Sequence, residues 1–282
     1  MPPKKVLFFS KSASFEHGVV QRRGGQLSFA ERVLATLGPA HGFDFTFSKD
    51  GSLFTPEYLA RFDVIFFDTT GDLTTVGVDG NPAMPPAGKA ALLEAIRGGK
   101  GFVGAHCATD TFHSPGNEEN AAPARYRPDG DRTDPYLRML GAEFIRHDAQ
   151  QPGRLRVTDA AFPGMAAVPP DFTLNEEWYS QKNFAPDLHV LLVQETAGLD
   201  GPSYRRPPYP ETWARQEGRG RVFYTSMGHR EDVWTNPVFQ AVLLGGLEWA
   251  SGRVDADITP NLARVAPQAN VLPPAPPPAG GR

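Results

Sequence analysis

Four of the seven histidines in this 282-residue chain follow short apolar runs. His17 lies in the polar loop after Val6-Leu7-Phe8-Phe9, and His106 directly follows Phe102-Val103-Gly104-Ala105. His147 comes after Phe144-Ile145, and His229 after the run Val222 to Thr225. An imidazole titrates near neutrality, so each can act as a general base or, when neutral, as a metal ligand. The densest group is His106-Cys107-Ala108-Thr109-Asp110-Thr111. His106 is its candidate base, and Asp110 can orient that ring or bind a sugar hydroxyl. The competing reading of Thr109 and Asp110 is an N-cap on a following helical turn. A second group, Glu176-Glu177-Trp178-Tyr179, sets carboxylates that accept from hydroxyls beside rings that pack on a pyranose face. In a strand, Glu176 and Glu177 point to opposite sides, so one of them faces a site, and Glu177 is the choice.

Neutral imidazoles with a carboxylate suit Zn, Mn or Fe(II). The candidate ligands are His106, His147, Glu177 and His229. No HExxH or other tight ligand spacing is present, so these four must converge through the fold. Cys107 is the single cysteine, which excludes an intramolecular disulfide and a cysteine-based zinc cage. Chain neighbours usually point apart, so Cys107 reads as a buried, inert thiol rather than a nucleophile served by His106. Gly24-Gly25 and Gly98-Gly99 form neither GxGxxG nor GxxxxGK[ST], which argues against nucleotide binding.

The elements that must position these residues are legible as alternating runs. Val6 to Phe9, Phe43 to Phe47, Val64 to Phe67 and Phe102 to Ala105 read as strands. Leu27 to Leu37 and Ala90 to Ile96 carry helical spacing, the second ended by Gly98 and Gly99. Alternation of this kind implies a doubly wound, mostly parallel sheet with helices on both faces, and ligands of such sheets lie beyond the strands' carboxyl ends. Asp110 to Asp134 is a long polar loop of the length that often carries function. Later strands are expected at Leu155 to Val157, Val190 to Gln194, Thr212 to Arg215 and Val222 to Thr225. A closing helix is expected at Pro237 to Ala250, with Pro in its first turn and Gly252 beyond its end. One domain over residues 1–257 is the simplest division. The Pro- and Ala-rich segment 258–282 reads as a disordered tail.

With 40% hydrophobic residues the chain can bury a core of its own. A net charge of -4 and a pI near 6.0 give no basic footprint, so nucleic acid and anionic membranes are not expected partners. No run approaches a membrane span, and the start lacks a secretory signal, so a cytoplasmic location is expected.

Taken in order, these pieces resemble the ThuA-like (trehalose-utilisation) family of the class I glutamine-amidotransferase-like superfamily. The matching residues are Val6 to Lys11 with Phe15 and His17, then Asp63-Val64 leading to Thr69-Thr70-Gly71-Asp72, then Gly99 to His106 with Ala108 to Thr111. They continue through Leu140-Gly141-Ala142, His147, Glu176 to Tyr179, His189-Val190-Leu191, Trp213, Gly220 to Thr225, Gly228-His229 and Gly246 to Gly252. The resemblance implies a flavodoxin-like sheet and a link to trehalose and related disaccharides through keto-sugar intermediates. It places His17, His106, Asp110, His147, Glu177, Tyr179 and His229 at the site. Ser10, Lys11, Thr109 and Trp178 are further candidate substrate contacts. The amidotransferase relatives carry a catalytic cysteine in a Gly-x-Cys-x-Gly turn. Here that frame reads Gly104-Ala105-His106-Cys107-Ala108, so histidine takes the nucleophile position and thioester chemistry is not expected. Pro115 to Asp134 is longer and more polar than the usual segment.

The leading expectation is a sugar-processing lyase, hydratase, isomerase or hydrolase. His106, Asp110, Glu177 and His229 are its catalytic residues, a small sugar is its substrate, and Zn, Mn or Fe is its candidate cofactor. A homo-oligomer is compatible with this reading. A non-catalytic carbohydrate-binding or regulatory module is the alternative, and a cysteine hydrolase comes third.

Overall fold

The computed structural model describes residues 2–118 and 122–276. Val6, Leu7, Phe8 and Phe9 are all fully buried there, as a strand covered on both faces requires. They belong to β1 (Lys4–Phe9). The parallel half is completed by β2 (Phe43–Ser48), β3 (Val64–Phe67), β4 (Gly101–Ala105) and, much later in the chain, β11 (Gly220–Thr225). Its order, β2-β1-β3-β4-β11, is the flavodoxin-like doubly wound order, which reverses direction between β1 and β3.

Helices cover both faces. Leu7 and Phe9 pack with α2 (Pro56–Leu59), α3 (Pro86–Arg97) and α4 (Pro135–Leu140). Val6 and Phe8 pack with α1 (Phe29–Ala40), α5 (Glu231–Trp234) and α6 (Pro237–Ala250). A capping box starts α1, with Ser28 and Glu31 each satisfying the other's backbone N–H.

Four antiparallel strands extend the sheet beyond β11, in the order β10 (Tyr209–Glu217), β9 (His189–Gln194), β6 (Gln151–Val157) and β7 (Asp171–Glu176). The short strands β5 (Glu143–Arg146) and β8 (Ser180–Lys182) form a separate ribbon. Because directions alternate, β7 runs the same way as β11 and ends at the same side of the sheet. In a flat sheet these two strands would lie about 19 Å apart, four spacings of roughly 4.8 Å. Yet the Glu176 carboxylate accepts from Gly228 N at 2.8 Å, so the antiparallel half curls back over the carboxyl ends.

The tail differs from expectation. Residues 258–276 are not a disordered appendage but pack along the molecule, with α7 (Leu262–Val265) inside the segment. Leu262, Ala266 and Ala269 are buried in the main core, and this apolar face offsets the ordering cost that the Pro-rich composition alone would not. Residues 277–282 lie outside the described residues. Among the described residues, no helix is long and apolar enough to cross a membrane.

Candidate functional site

His17, His106, Glu177 and His229 reach one point from four separate segments, and one ligand atom of each lies within 4.8 Å of all the others. His106 sits immediately after β4, in the parallel half. Its φ is +40°, a left-handed conformation that costs a non-glycine residue on the order of 1–3 kcal/mol. Two contacts hold it there. Its own carbonyl accepts from Tyr224 Oη at 2.6 Å, and its Nδ1–H donates to Ser226 O at 3.0 Å. Since a carbonyl can only accept, Nδ1 carries the proton and Nε2 presents its lone pair to the cluster. Burial pushes the His106 pKa down to about 3, which keeps the ring neutral.

Glu177 lies one residue past β7, where the curl of the sheet brings it over His106. Its Oε2 is 3.6 Å from His106 Nε2, 3.2 Å from His229 Nδ1 and 3.9 Å from His17 Nε2. Burial opposes its ionisation, but the surrounding imidazoles outweigh that and hold it below the usual carboxylate range. His229 follows Gly228, whose φ of +129° suits glycine. Burial lowers the His229 pKa, and Glu177 overcomes it to leave a net rise. His17 comes from the loop after β1, at the edge of the crevice where strand order reverses. Burial lowers its pKa too.

Ligands at 2.0–2.2 Å from a tetrahedral ion stand about 3.4 Å from each other. The distances to Glu177 Oε2, with 3.2 Å between His106 Nε2 and His229 Nδ1, span that value. The donor set therefore fits one divalent cation with three nitrogens and one oxygen, the chemistry of Zn, Mn or Fe(II). His17 stands where His147 was expected. His147 is on the rim, its side chain 39% exposed, with Nδ1–H donated to Asp148 O and 3.4 Å from the other Glu177 oxygen. Its ring stacks on Tyr179 and Phe144, which fixes it away from the quartet.

A cavity of about 500 Å³ opens in front of the cluster. His17, Asp110, His147, Glu177 and Tyr179 line it together with Phe15, Phe144, Ile145, Arg146 and Pro276. Tyr179 forms the inner wall, its ring 4.2 Å from that of His106 and 4.1 Å from that of Phe144. Burial raises the Asp110 carboxyl to about 7, against the pull of Arg125, whose Nη1 and Nη2 are each 3.4 Å from Oδ1.

Four expected substrate contacts lie elsewhere. Trp178 is fully buried in the core and donates Nε1–H to Gln151 O, because the residue after Glu177 faces the opposite side of the chain. Lys11 is buried against Asp79 and the Asn81 carbonyl. Thr109 bonds Tyr224 and Gln181 under the site, and Ser10 is buried outside the cavity wall. Cys107 is buried and donates to Asp68 Oδ1, and burial raises its pKa well above the usual thiol value.

Sequence reasoning missed the supports. Glu176 Oε2 accepts from both Gly228 N and His229 N, fixing the turn that delivers His229. Glu211 accepts from Ser226 Oγ and so steadies the carbonyl that orients His106. A carboxylate that bonds backbone has no sequence signature beyond its presence at a strand end. Arg125 was hidden in the polar loop, where nothing in the pattern marks a buried cation.

A family model described as trehalose utilisation, ThuA, matches residues 5–250. The chain belongs to the ThuA family. Among solved structures it is similar to a protein described as ThuA-like from Bacteroides uniformis, at 19% identity over 88% of this chain and 91% of that one, with a TM-score of 0.62. A second, from Parabacteroides merdae, is 20% identical over 90% and 92% of the two chains, with a TM-score of 0.57. A cytoplasmic protein from Salmonella typhimurium is 13% identical over 87% and 98%, with a TM-score of 0.52. At these identities the likeness is one of fold. No curated protein matches the chain. The ThuA match takes in every residue of the histidine quartet and ends with α6, so the packed tail lies outside it.

Proposed function

We propose that this ThuA protein is a metal-assisted enzyme of carbohydrate utilisation, acting in the cytoplasm on a keto-disaccharide related to trehalose. The observation that carries the reading is the convergence of His17, His106, His229 and Glu177 at separations suited to one cation. A divalent ion held there would supply Lewis-acid polarisation of a sugar carbonyl. With those four side chains committed, Asp110 is the carboxyl group left in the pocket lining, and its pKa of about 7 suits proton transfer at neutral pH. Asp110 then removes or returns a proton alpha to the carbonyl, as elimination, hydration or epimerisation requires. Arg125 fixes its carboxyl, and Tyr179 and Phe144 give the sugar ring an apolar wall.

A second reading has a specific observation behind it. Gln150 Nε2 lies 2.8 Å from His229 Nε2, while Gln150 Oε1 accepts from Arg230 Nη1. That arrangement puts the His229 proton on Nδ1, aimed at Glu177, and gives a metal-free acid–base cluster with His229 as acid and His106 as base.

Elemental analysis of untagged protein, prepared without chelators, decides between them. About one equivalent of Zn, Mn or Fe, lost in Glu177→Gln and His106→Ala, is expected. Metal-free protein that still turns over a keto-disaccharide overturns the first reading in favour of the second. No turnover of any keto-disaccharide by metal-loaded protein overturns the enzymatic assignment.

A further inference from the structure

The cavity in front of the quartet has a wall that the family match does not contain. Pro276 lines it beside His17, Asp110 and Glu177, although the match stops at residue 250. The segment that delivers Pro276 is pinned at two asparagines. Asn261 accepts from Val190 N at 2.7 Å and donates to Val190 O at 3.0 Å. Asn270 does the same to Phe184, at 2.9 and 3.1 Å. Each side-chain amide thus pairs both backbone groups of one residue, as a neighbouring strand would. Between these pins Arg206 donates to Ala269 O, and Leu262, Ala266 and Ala269 are buried.

Beyond the second pin the chain reads Val271-Leu272-Pro273-Pro274-Ala275-Pro276. Proline fixes φ and leaves little backbone entropy to lose, so such a run holds a position cheaply. Six residues of extended, proline-rich chain span at most about 19 Å, and this run ends at Pro276 in the cavity lining. Phe15 lines the same cavity, 60% exposed, a large apolar ring left open to solvent.

We infer that the C-terminal strap, residues 258–276, is a specificity element of this protein: with Phe15 it forms an outer subsite for the second ring of a disaccharide, while the quartet and Asp110 hold the reacting ring. This rests on the carbohydrate reading for its ligand, but not for its geometry. The cavity sets the polar groups of His17, Asp110, His147 and Glu177 against the apolar Phe15 and Pro276. That division suits a ligand whose far ring needs apolar packing rather than hydrogen bonds.

Two variants test it. One stops after Leu272 and keeps both asparagine pins. The other is full length with Pro273, Pro274 and Pro276 all replaced by Gly. Calorimetric binding of glucose, trehalose and the keto form of each reports the subsite, and diethyl pyrocarbonate labelling of His147, read by mass spectrometry, reports the wall without any sugar. Both variants should lose about tenfold in disaccharide affinity with monosaccharide affinity unchanged. Both should also label faster at His147. Unchanged selectivity together with unchanged labelling overturns the strap as a wall. If no sugar binds even the unaltered protein but labelling still accelerates, the wall stands and the carbohydrate reading falls. If labelling accelerates while the disaccharide preference of the unaltered protein persists in both variants, the outer subsite is overturned.

Discussion

Two buried polar clusters lie on either side of Asp110, and they are built on opposite principles. Behind the 113–134 loop, Lys182 pairs with Asp129 at 2.6 Å and also donates to the Ala124 and Arg127 carbonyls. Asn117 and Asn183 donate to Asp129, and Ser114 donates to Glu143 through both its N–H and its hydroxyl. Each charge there is answered by a partner of opposite character. In the quartet, ring nitrogens of three imidazoles crowd round one carboxylate, and among the described residues no lysine or arginine pairs with that carboxylate. Evolution of a stable core favours the first arrangement, since a buried group left without a partner is costly. The second is tolerable only if something else answers the lone pairs, either a cation or a shared proton. Burial alone therefore does not mark a site. Unreciprocated burial does.

The contrast can be broken most forcefully in the satisfied cluster. Lys182→Met leaves Asp129 buried without its cation and should cost roughly 3–5 kcal/mol of stability, with metal content per folded molecule unchanged. Urea unfolding with elemental analysis checks both. A loss of metal at intact stability would mean that the two clusters are not separate.

Glu176 sits between the two styles, since it is buried and satisfied yet serves the quartet. Glu176→Gln keeps the size but weakens its grip on Gly228 N and His229 N. Metal affinity should fall about 10- to 100-fold, the usual cost of losing an outer-shell support, with the fold retained. Competition with a chelator of known affinity measures it. An unchanged affinity would make Glu176 purely structural.

A smaller effect is expected from pH in metal-free protein. The His106 pKa is depressed from 6.5 to about 3 by burial, so between those values the unfolded chain binds a proton that the folded one does not. Its contribution to stability is complete above about 6.5 and is lost as pH falls toward 3, at up to about 1.4 kcal/mol per pH unit. The stability difference between the native protein and His106→Gln should follow that slope and be flat above pH 7. A native-protein advantage that instead shrinks as pH rises above about 6.5 would show His106 to be protonated in the fold.

The least effect belongs to Cys107. Cys107→Ser should change turnover negligibly and stability by no more than about 1 kcal/mol, because the thiol is buried and already bonded to Asp68. Abolished turnover at intact folding would revive the cysteine-hydrolase reading.

The parallel half was legible almost residue by residue. Val64–Phe67 and Pro237–Ala250 coincide with the expected runs, because strands buried on both faces must be continuously apolar and a proline-started helix declares its own beginning. His106 and His229 could be placed at strand ends for the same reason. Trp178 misled, since an aromatic beside a carboxylate looks the same whether it faces a ligand or the core. The tail misled more seriously: its composition speaks for disorder, and its order comes from two asparagines whose partners are 71 and 86 residues away.

By itself, then, the sequence determined the local matters: which runs are strands and helices, the parallel core they make, and the residue types able to do acid–base or metal chemistry near the strand ends. Tertiary structure alone decided that His17 rather than His147 joins the quartet, that Glu177 arrives there from the last strand of the sheet, and that Pro276, from beyond the family match, lines the cavity. The physical reason is range. Periodicity and caps are written within a few residues, whereas the curl of an antiparallel extension and the pairing of a distant amide are settled only when the whole sheet packs.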